Sequence, residues 1–149
     1  MIRSLVICER GNSFIEMAVA APLFVGLLIG MVDISRGVST KLQVVQAAQR
    51  TVERVQRSGY SQGDVPSLET DAEAAAGTGS DATVSTWLEC GSSTTKLAYT
   101  DSCSSGEAAR YVGVSITKPF TPLFGTQYFL GANSNGSFTL TGIAGVRIQ

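Results

Sequence analysis

The 149-residue chain contains no histidine, and this absence removes the side chain that most often acts as a general base or as a metal ligand near neutral pH. A serine or cysteine nucleophile would need lysine or a carboxylate as its base, and no nucleophile motif such as G-x-S-x-G occurs. The glycines form no phosphate-binding loop after a predicted strand. We therefore predict a protein that is not an enzyme and needs no cofactor.

Charged side chains are few, and 11 basic and 12 acidic residues leave a net charge of −1. This balance gives no general attraction to nucleic acid, so we predict no nucleic-acid partner. The acidic residues between Asp64 and Glu73 do not have the spacing of an EF-hand loop, and we predict no metal site.

Residues 17–32 carry no charge and form the main apolar run of the chain. A helix over these residues rises about 24 Å, which is short of a hydrocarbon core about 30 Å thick. A helix that begins at residue 12 rises about 31 Å and matches the bilayer only if Glu16 lies in it or close to it. Pro22 removes one backbone donor within this span, which membrane helices tolerate when neighbours satisfy the freed carbonyl.

Glu16 needs a partner, because a charged side chain at the bilayer centre costs about 2.5 to 3.5 kcal/mol on insertion scales. Cleavage after Gly11 would create a positive amine on Asn12, four residues before this carboxylate. Gly26 and Gly30 lie four residues apart and provide a small-xxx-small face on which another helix can pack, or they reflect the ordinary glycine content of membrane helices. Both interpretations stay open.

The N-terminal pattern resembles the processing site of type IV prepilins, in which a peptidase cuts after the glycine on the cytoplasmic side. Arg10, Gly11, Glu16 and Ala18, followed by Pro22 and Asp33, resemble the TadE/TadG-like minor pilins of tight-adherence systems. Residues 87–90, 110–124 and 142–147 carry the second part of the resemblance, which covers most of the chain.

This resemblance implies a minor pilin or pseudopilin, a structural subunit of a tight-adherence pilus or secretion apparatus that supports filament assembly, adhesion and biofilm formation. It implies other pilin subunits, the pilus assembly platform, a prepilin peptidase and membrane lipid as partners. The expected location is the bacterial inner membrane with the head in the periplasm, with incorporation into a surface pilus. An uncleaved, single-pass envelope protein whose head binds a partner without polymerising remains the alternative.

Other export signals fit less well. A cleaved secretory signal would need a small-residue site after the apolar run, and a lipoprotein signal would place Cys8 after an apolar stretch rather than near the start. Basic residues on the two sides of the span slightly favour a cytoplasmic C-terminus, whereas the resemblance favours the opposite orientation.

Residues 34–57 continue the helix, since apolar residues recur at spacings of three and four. The stripe consists of Val38, Leu42, Val45, Ala48 or Gln49, Val52 and Val55. It packs either on the protein's own C-terminal half or in a bundle with neighbouring subunits.

The remaining sequence predicts a small head. A second helix begins near Pro66, with Asp64 as its cap, and ends near Gly77. Four strands follow over residues 83–89, 96–100, 110–118 and 137–148, with Pro119 and Pro122 ending the third. The predicted fold class is α+β, a long N-terminal helix on a small antiparallel sheet. Its parts are a leader (1–11), a transmembrane segment (12–32), the extracytoplasmic continuation of the helix (33–57) and the head (58–149).

Three cysteines divide by position. Cys90 and Cys103 bracket a loop rich in glycine, serine and threonine, while Cys8 would be lost with the leader. We predict a disulfide between Cys90 and Cys103; two thiols that never meet remain the alternative.

Overall fold

A computed structural model describes residues 12–123 and 132–148 of the chain. The elements, in chain order, are α1 (Asn12–Ser58), a 3₁₀ turn (Gln62–Asp64), α2 (Val65–Ala76), β1 (Asp81–Cys90), β2 (Ala108–Phe120) and β3 (Phe138–Arg147). Both helices pack on an antiparallel sheet with the strand order β1-β2-β3, which confirms the predicted α+β fold class. The predicted leader, including Cys8 and Gly11, lies outside the described residues.

α1 is one helix of 47 residues, and at about 1.5 Å per residue it is about 70 Å long. The helix continues through Pro22 without interruption. It ends at Ser58 because Gly59 adopts a φ of +78°, in the left-handed region that glycine favours. The prediction that residues 34–57 continue the apolar N-terminal helix is confirmed.

The predicted apolar stripe of α1 is only partly correct. Val52 and Val55 are buried as expected, but Val38 and Leu42 are each 53% exposed. Next to these two residues, Gly37 packs on Phe120 of β2 and Lys41 contacts the Thr141 carbonyl of β3, so the face of α1 that meets the sheet is rotated away from Val38 and Leu42. The buried residues of this face are Val44, Ala47, Ala48, Thr51, Val52 and Val55.

The sheet places alternate residues of each strand against the helices. In the register, Thr86 pairs with Val112 and Val112 with Val146, so the side chains on this face form cross-strand rows. Val112, Val114 and Ile116 are almost fully buried at the centre of this face. α2 completes the core with Leu68, Ala72 and Ala76.

The predicted strand over residues 96–100 is wrong. In this region only Leu97 pairs with β1, through an isolated bridge in which Leu97 and Leu88 exchange backbone hydrogen bonds of 2.8 and 3.1 Å. The segment turns away immediately, because the Asp101 N–H donates to the carbonyl of Ala98 at 2.9 Å and the Asp101 carboxylate accepts the Ala98 N–H at 3.1 Å.

Pro119 does not end β2, which runs on to Phe120. Its last pair with β1 is Thr117 with Asp81, whereas pairing with β3 continues through Pro119 and Thr139. β2 is therefore a local edge at Pro119, and an edge tolerates a residue without an N–H.

α2 begins and ends close to the predicted residues, and Gly77 follows it with a φ of +85°. Asp64 occupies the predicted cap position, but its carboxylate accepts the N–H of Ser61 at 2.8 Å and does not cap α2. Two acidic side chains of α2 face the edge of β1. Glu69 accepts the Val84 N–H at 3.0 Å and Glu73 accepts the Ala82 N–H at 3.2 Å, so carboxylates occupy donors that another strand could otherwise pair with.

Candidate assembly and membrane site

The N-terminal half of α1 is apolar and uncovered. α1 is the one helix of the described ranges that is long and apolar enough to cross a membrane, and none of its most apolar window is buried. Phe14 and Met31, near the two ends of this region, are 82% and 70% exposed. Such a surface requires lipid or other apolar helices around it.

Glu16 lies on this surface among Ile15, Val19, Ala20 and Leu23. Within residues 12–123 and 132–148 its carboxylate has no hydrogen-bond or ion-pair partner. Asn12 is the first residue of α1, so it precedes Glu16 by one helical turn. Gly11, the other residue of the predicted processing site, lies outside the described residues.

The predicted packing face is bare in the single chain. A Cβ atom added at Gly26 or at Gly30 would meet nothing within 4 Å beyond the helix's own backbone. Pro22, one turn before Gly26, is also exposed. These positions are thus sterically open to another helix or to lipid.

Asp33, the first charged residue after the apolar run, binds the segment that follows β2 to α1. Its side chain is almost buried, and its two carboxylate oxygens each lie 2.9 Å from the backbone nitrogen of Leu123. The Arg36 guanidinium approaches the same carboxylate at 3.4 Å. The sequence analysis included Asp33 only as part of a family pattern and did not predict its structural role. The signal that could have indicated a buried, paired carboxylate is its position directly after an apolar span.

Phe120 reinforces this tie one turn further along α1. A Cβ at Gly37 would lie 3.4 Å from the Phe120 ring, so the absence of a side chain at Gly37 lets the ring approach the helix closely. The Arg36 guanidinium lies 5.8 Å from the centre of the same ring, within the range of a cation–π contact. The base of the head is therefore fixed to α1 at the point where the apolar run ends.

We expect Asp33→Ala to loosen this base and to lower the free energy of unfolding by about 2 kcal/mol, since a carboxylate that accepts backbone N–H groups contributes about 1.5 to 3 kcal/mol. Chemical denaturation measures the loss, and limited proteolysis should show faster cleavage next to Leu123. Glu53→Ala is the control, because Glu53 is an exposed acid of the same helix, 3.8 Å from Arg57. Equal stability of the two variants would contradict a structural role for Asp33.

Two basic residues of α1 have partners in the head. Lys41 donates to the backbone carbonyl of Thr141, and Arg54 forms an ion pair with Asp71 of α2. These contacts hold the helix to β3 on one side and to α2 on the other. Their surface exposure makes each worth little by itself.

The end of the head farthest along α1 is closed by a disulfide between Cys90 and Cys103. Within the loop that it closes, the Tyr99 ring makes an edge contact with the Tyr60 ring at 5.4 Å between centroids. Burial raises the pKa of the Tyr60 phenol; Tyr99 and Asp64 act in the same direction, whereas a hydrogen bond to Thr86 lowers it. The disulfide and the contact between the two tyrosine rings together hold this loop against the C-terminal end of α1.

The outer face of the sheet carries the tryptophan. Trp87 stacks on Tyr111 at 5.4 Å, and the Lys96 ammonium lies 4.0 Å from the centre of the Trp87 ring. The indole N–H donates to Glu89 at 2.8 Å. Trp87 therefore pins the disulfide loop to the sheet through Lys96.

Among the described residues, no group of three or more histidine, cysteine, aspartate or glutamate side chains could hold a metal ion.

Comparison with known proteins adds a family match. Residues 11–52 match the family model described as TadE-like protein. No curated protein and no solved structure matches the chain. The match covers Gly11, Glu16, the apolar run and Asp33, and it confirms the resemblance of this segment to the TadE-like family.

Proposed function

We propose that the chain is a minor pilin or pseudopilin, a structural subunit of a tight-adherence pilus or secretion apparatus. The observation that carries the proposal is the apolar surface of α1 from Phe14 to Val32, which no described part of the chain covers, within a segment that matches the TadE-like family. In this proposal residues 1–11 are a leader, 12–32 cross the inner membrane, 33–57 continue the helix, and 58–149 form a periplasmic head.

Neighbouring subunits and the assembly platform are the proposed partners of α1. Val38 and Leu42 support this, because they leave an apolar stripe exposed beyond the membrane segment on a helix whose other face is buried against the sheet. Gly26 and Gly30 offer close approach to a second helix within the membrane. Incorporation into a surface filament would then serve adhesion and biofilm formation.

Glu16 sets the register of assembly in this proposal. A carboxylate in an apolar setting is stabilised by a nearby cation, and the amine of Asn12 after cleavage by a prepilin peptidase supplies one, on its own helix or on a neighbour's. When the amine belongs to a neighbour's helix, sliding one helix along the other would separate the two charges, so the pair favours one register between subunits.

We expect Glu16→Ala to leave membrane insertion intact and to reduce recovery with the assembly machinery about tenfold or more, since a loss of about 1.4 kcal/mol of pairing changes an equilibrium tenfold. Membrane fractionation measures insertion, and co-purification with the assembly platform measures recruitment. Glu53→Ala, an exposed acid later in α1, is the control and should assemble normally. Normal recruitment of Glu16→Ala would count against the pairing.

Mass spectrometry of the native N-terminus separates this proposal from the alternative of an uncleaved membrane-anchored protein. A mature chain that begins at Asn12 supports the pilin proposal. A chain that begins at Met1 supports the anchored protein with a head that binds a partner without polymerising. The two outcomes differ by the mass of residues 1–11.

A further inference from the structure

The base of the head, where Phe120 and Leu123 meet α1 at Asp33 and Gly37, exposes an apolar side chain just after the apolar run of the helix ends. Leu123 follows β2 and is 64% exposed, yet its backbone N–H is held by both carboxylate oxygens of Asp33. Ile34, the next residue of α1, is 70% exposed. Two aliphatic side chains thus lie at nearly the same height along the helix axis.

This height corresponds to the surface of a bilayer if α1 spans it. The polar layer on each side of the hydrocarbon core is about 5 to 8 Å thick, from a total thickness of about 40 to 45 Å and a core of about 30 Å. At about 1.5 Å per residue, residues 33–37 lie within this layer when Val32 ends the core. The backbone of Leu123, hydrogen-bonded to Asp33, lies there too.

We propose that Phe120, Leu123 and Ile34 form a lipid-contact surface that seats the base of the head in the interfacial layer of a phospholipid bilayer. The proposal rests on the membrane anchoring of α1 in the proposed function and goes beyond it, since it adds a second point of membrane contact supplied by the C-terminal half of the chain. Aliphatic and aromatic side chains stabilise such contacts by leaving water at the boundary of headgroups and acyl chains.

Arg36 distinguishes lipid from a second copy of the chain as the occupant. Its side chain is half exposed at the same level, packs beside Phe120 and Asp33, and can reach lipid phosphate while its aliphatic part stays among apolar groups. Apolar side chains below a cation are the pattern of a membrane interface. Exposed apolar side chains also run along α1 from Phe14 to Val32, shortly before Ile34 in the same helix.

Tryptophan quenching tests the contact. The full-length chain is reconstituted in phosphatidylcholine vesicles, with and without phosphatidylcholine brominated on its acyl chains near the headgroup end. Leu123→Trp is the reporter, and the emission of Trp87, the single native tryptophan, is subtracted by using the unaltered chain. We expect the brominated lipid to remove a large part of the added emission.

Three further variants make the outcome decisive. Leu28→Trp lies within the apolar run, Ile34→Trp lies at the proposed height on α1, and Ile143→Trp lies on the outer face of the sheet, where Ile143 is 73% exposed. We expect strong quenching for the first two and none for the last. Quenching at Leu28 and Ile34 without quenching at Leu123 overturns the lipid contact alone, whereas no quenching at Leu28 overturns the membrane anchor and the contact together.

Discussion

Gly142→Ala is expected to lower the free energy of unfolding by about 3 kcal/mol and the melting temperature by about 10 °C. The new Cβ atom would lie 2.6 Å from the carbonyl oxygen of Val44, 2.7 Å from its carbonyl carbon and 2.8 Å from the nitrogen of Val45. All three atoms belong to the backbone of α1, so no side chain can rotate to make room. The whole helix must move off β3, which would open the core along its length.

Gly145 provides the matched control, because it lies on the same strand. A Cβ atom there would lie 3.6 Å from the carbonyl oxygen of Val112, an ordinary contact, so Gly145→Ala should change the free energy of unfolding by less than about 0.5 kcal/mol. Thermal denaturation of the full chain in detergent, followed by circular dichroism, measures both variants. Equal melting temperatures for the two would show that α1 does not rest on Gly142.

Replacing both Cys90 and Cys103 by serine is expected to lower the free energy of unfolding by about 3 kcal/mol. The two cysteines are 13 residues apart, and closing a loop of about 15 residues stabilises a protein by about 3 kcal/mol in the chain-entropy model. The loss would be concentrated at the far end of the head, where the loop positions Tyr99 against Tyr60 and Lys96 against Trp87. Chemical denaturation with and without a reducing agent measures it.

Cys8→Ser is the control for this prediction, since Cys8 precedes the span and belongs to the predicted leader. Its stability should equal that of the unaltered chain, and reduction should destabilise both by the same amount. The double variant should not respond to the reducing agent. A chain whose unfolding is insensitive to reduction would contradict a stabilising role of the disulfide.

The sequence predicted the elements whose signals are local. α1 follows from an uncharged run joined to a periodic stripe, α2 from Pro66 and Gly77 at its two ends, and β1 and β2 from runs rich in threonine, valine and tyrosine. Residues 96–100 have similar composition, but a strand also needs a partner along its length, and the turn at Asp101 leaves only Leu97 in place.

Features set by distant residues were not accessible in the same way. The spacing of apolar residues gave the period of the buried face of α1 but not which side of the helix meets the sheet next to Gly37 and Lys41, which is why Val38 and Leu42 were misplaced. Asp33 binds a main-chain N–H that is 90 residues away, and no side-chain pattern at Leu123 signals such a donor. The candidate site is similar: Glu16 and the glycines could be proposed from the sequence because a membrane setting restricts residue types, whereas the contact of the head with α1 emerged only from the packing of Phe120 on Gly37.

The unbroken α1 also has a mechanical consequence. Asp33 and Gly37 fix the head to α1 at one end of their contact, and Val55 is buried in the core near the C-terminus of α1 at the other end. The C-terminal half of α1 and the head therefore form one rigid unit. From Val32 to Ser58 this unit is about 39 Å long, and a tilt of α1 by about 20° from the bilayer normal would move the Ser58 end sideways by about 13 Å. In the proposed membrane-anchored state, force applied to the head would also reorient α1 within the bilayer, so that pulling on the head and tilting of the helix would be coupled.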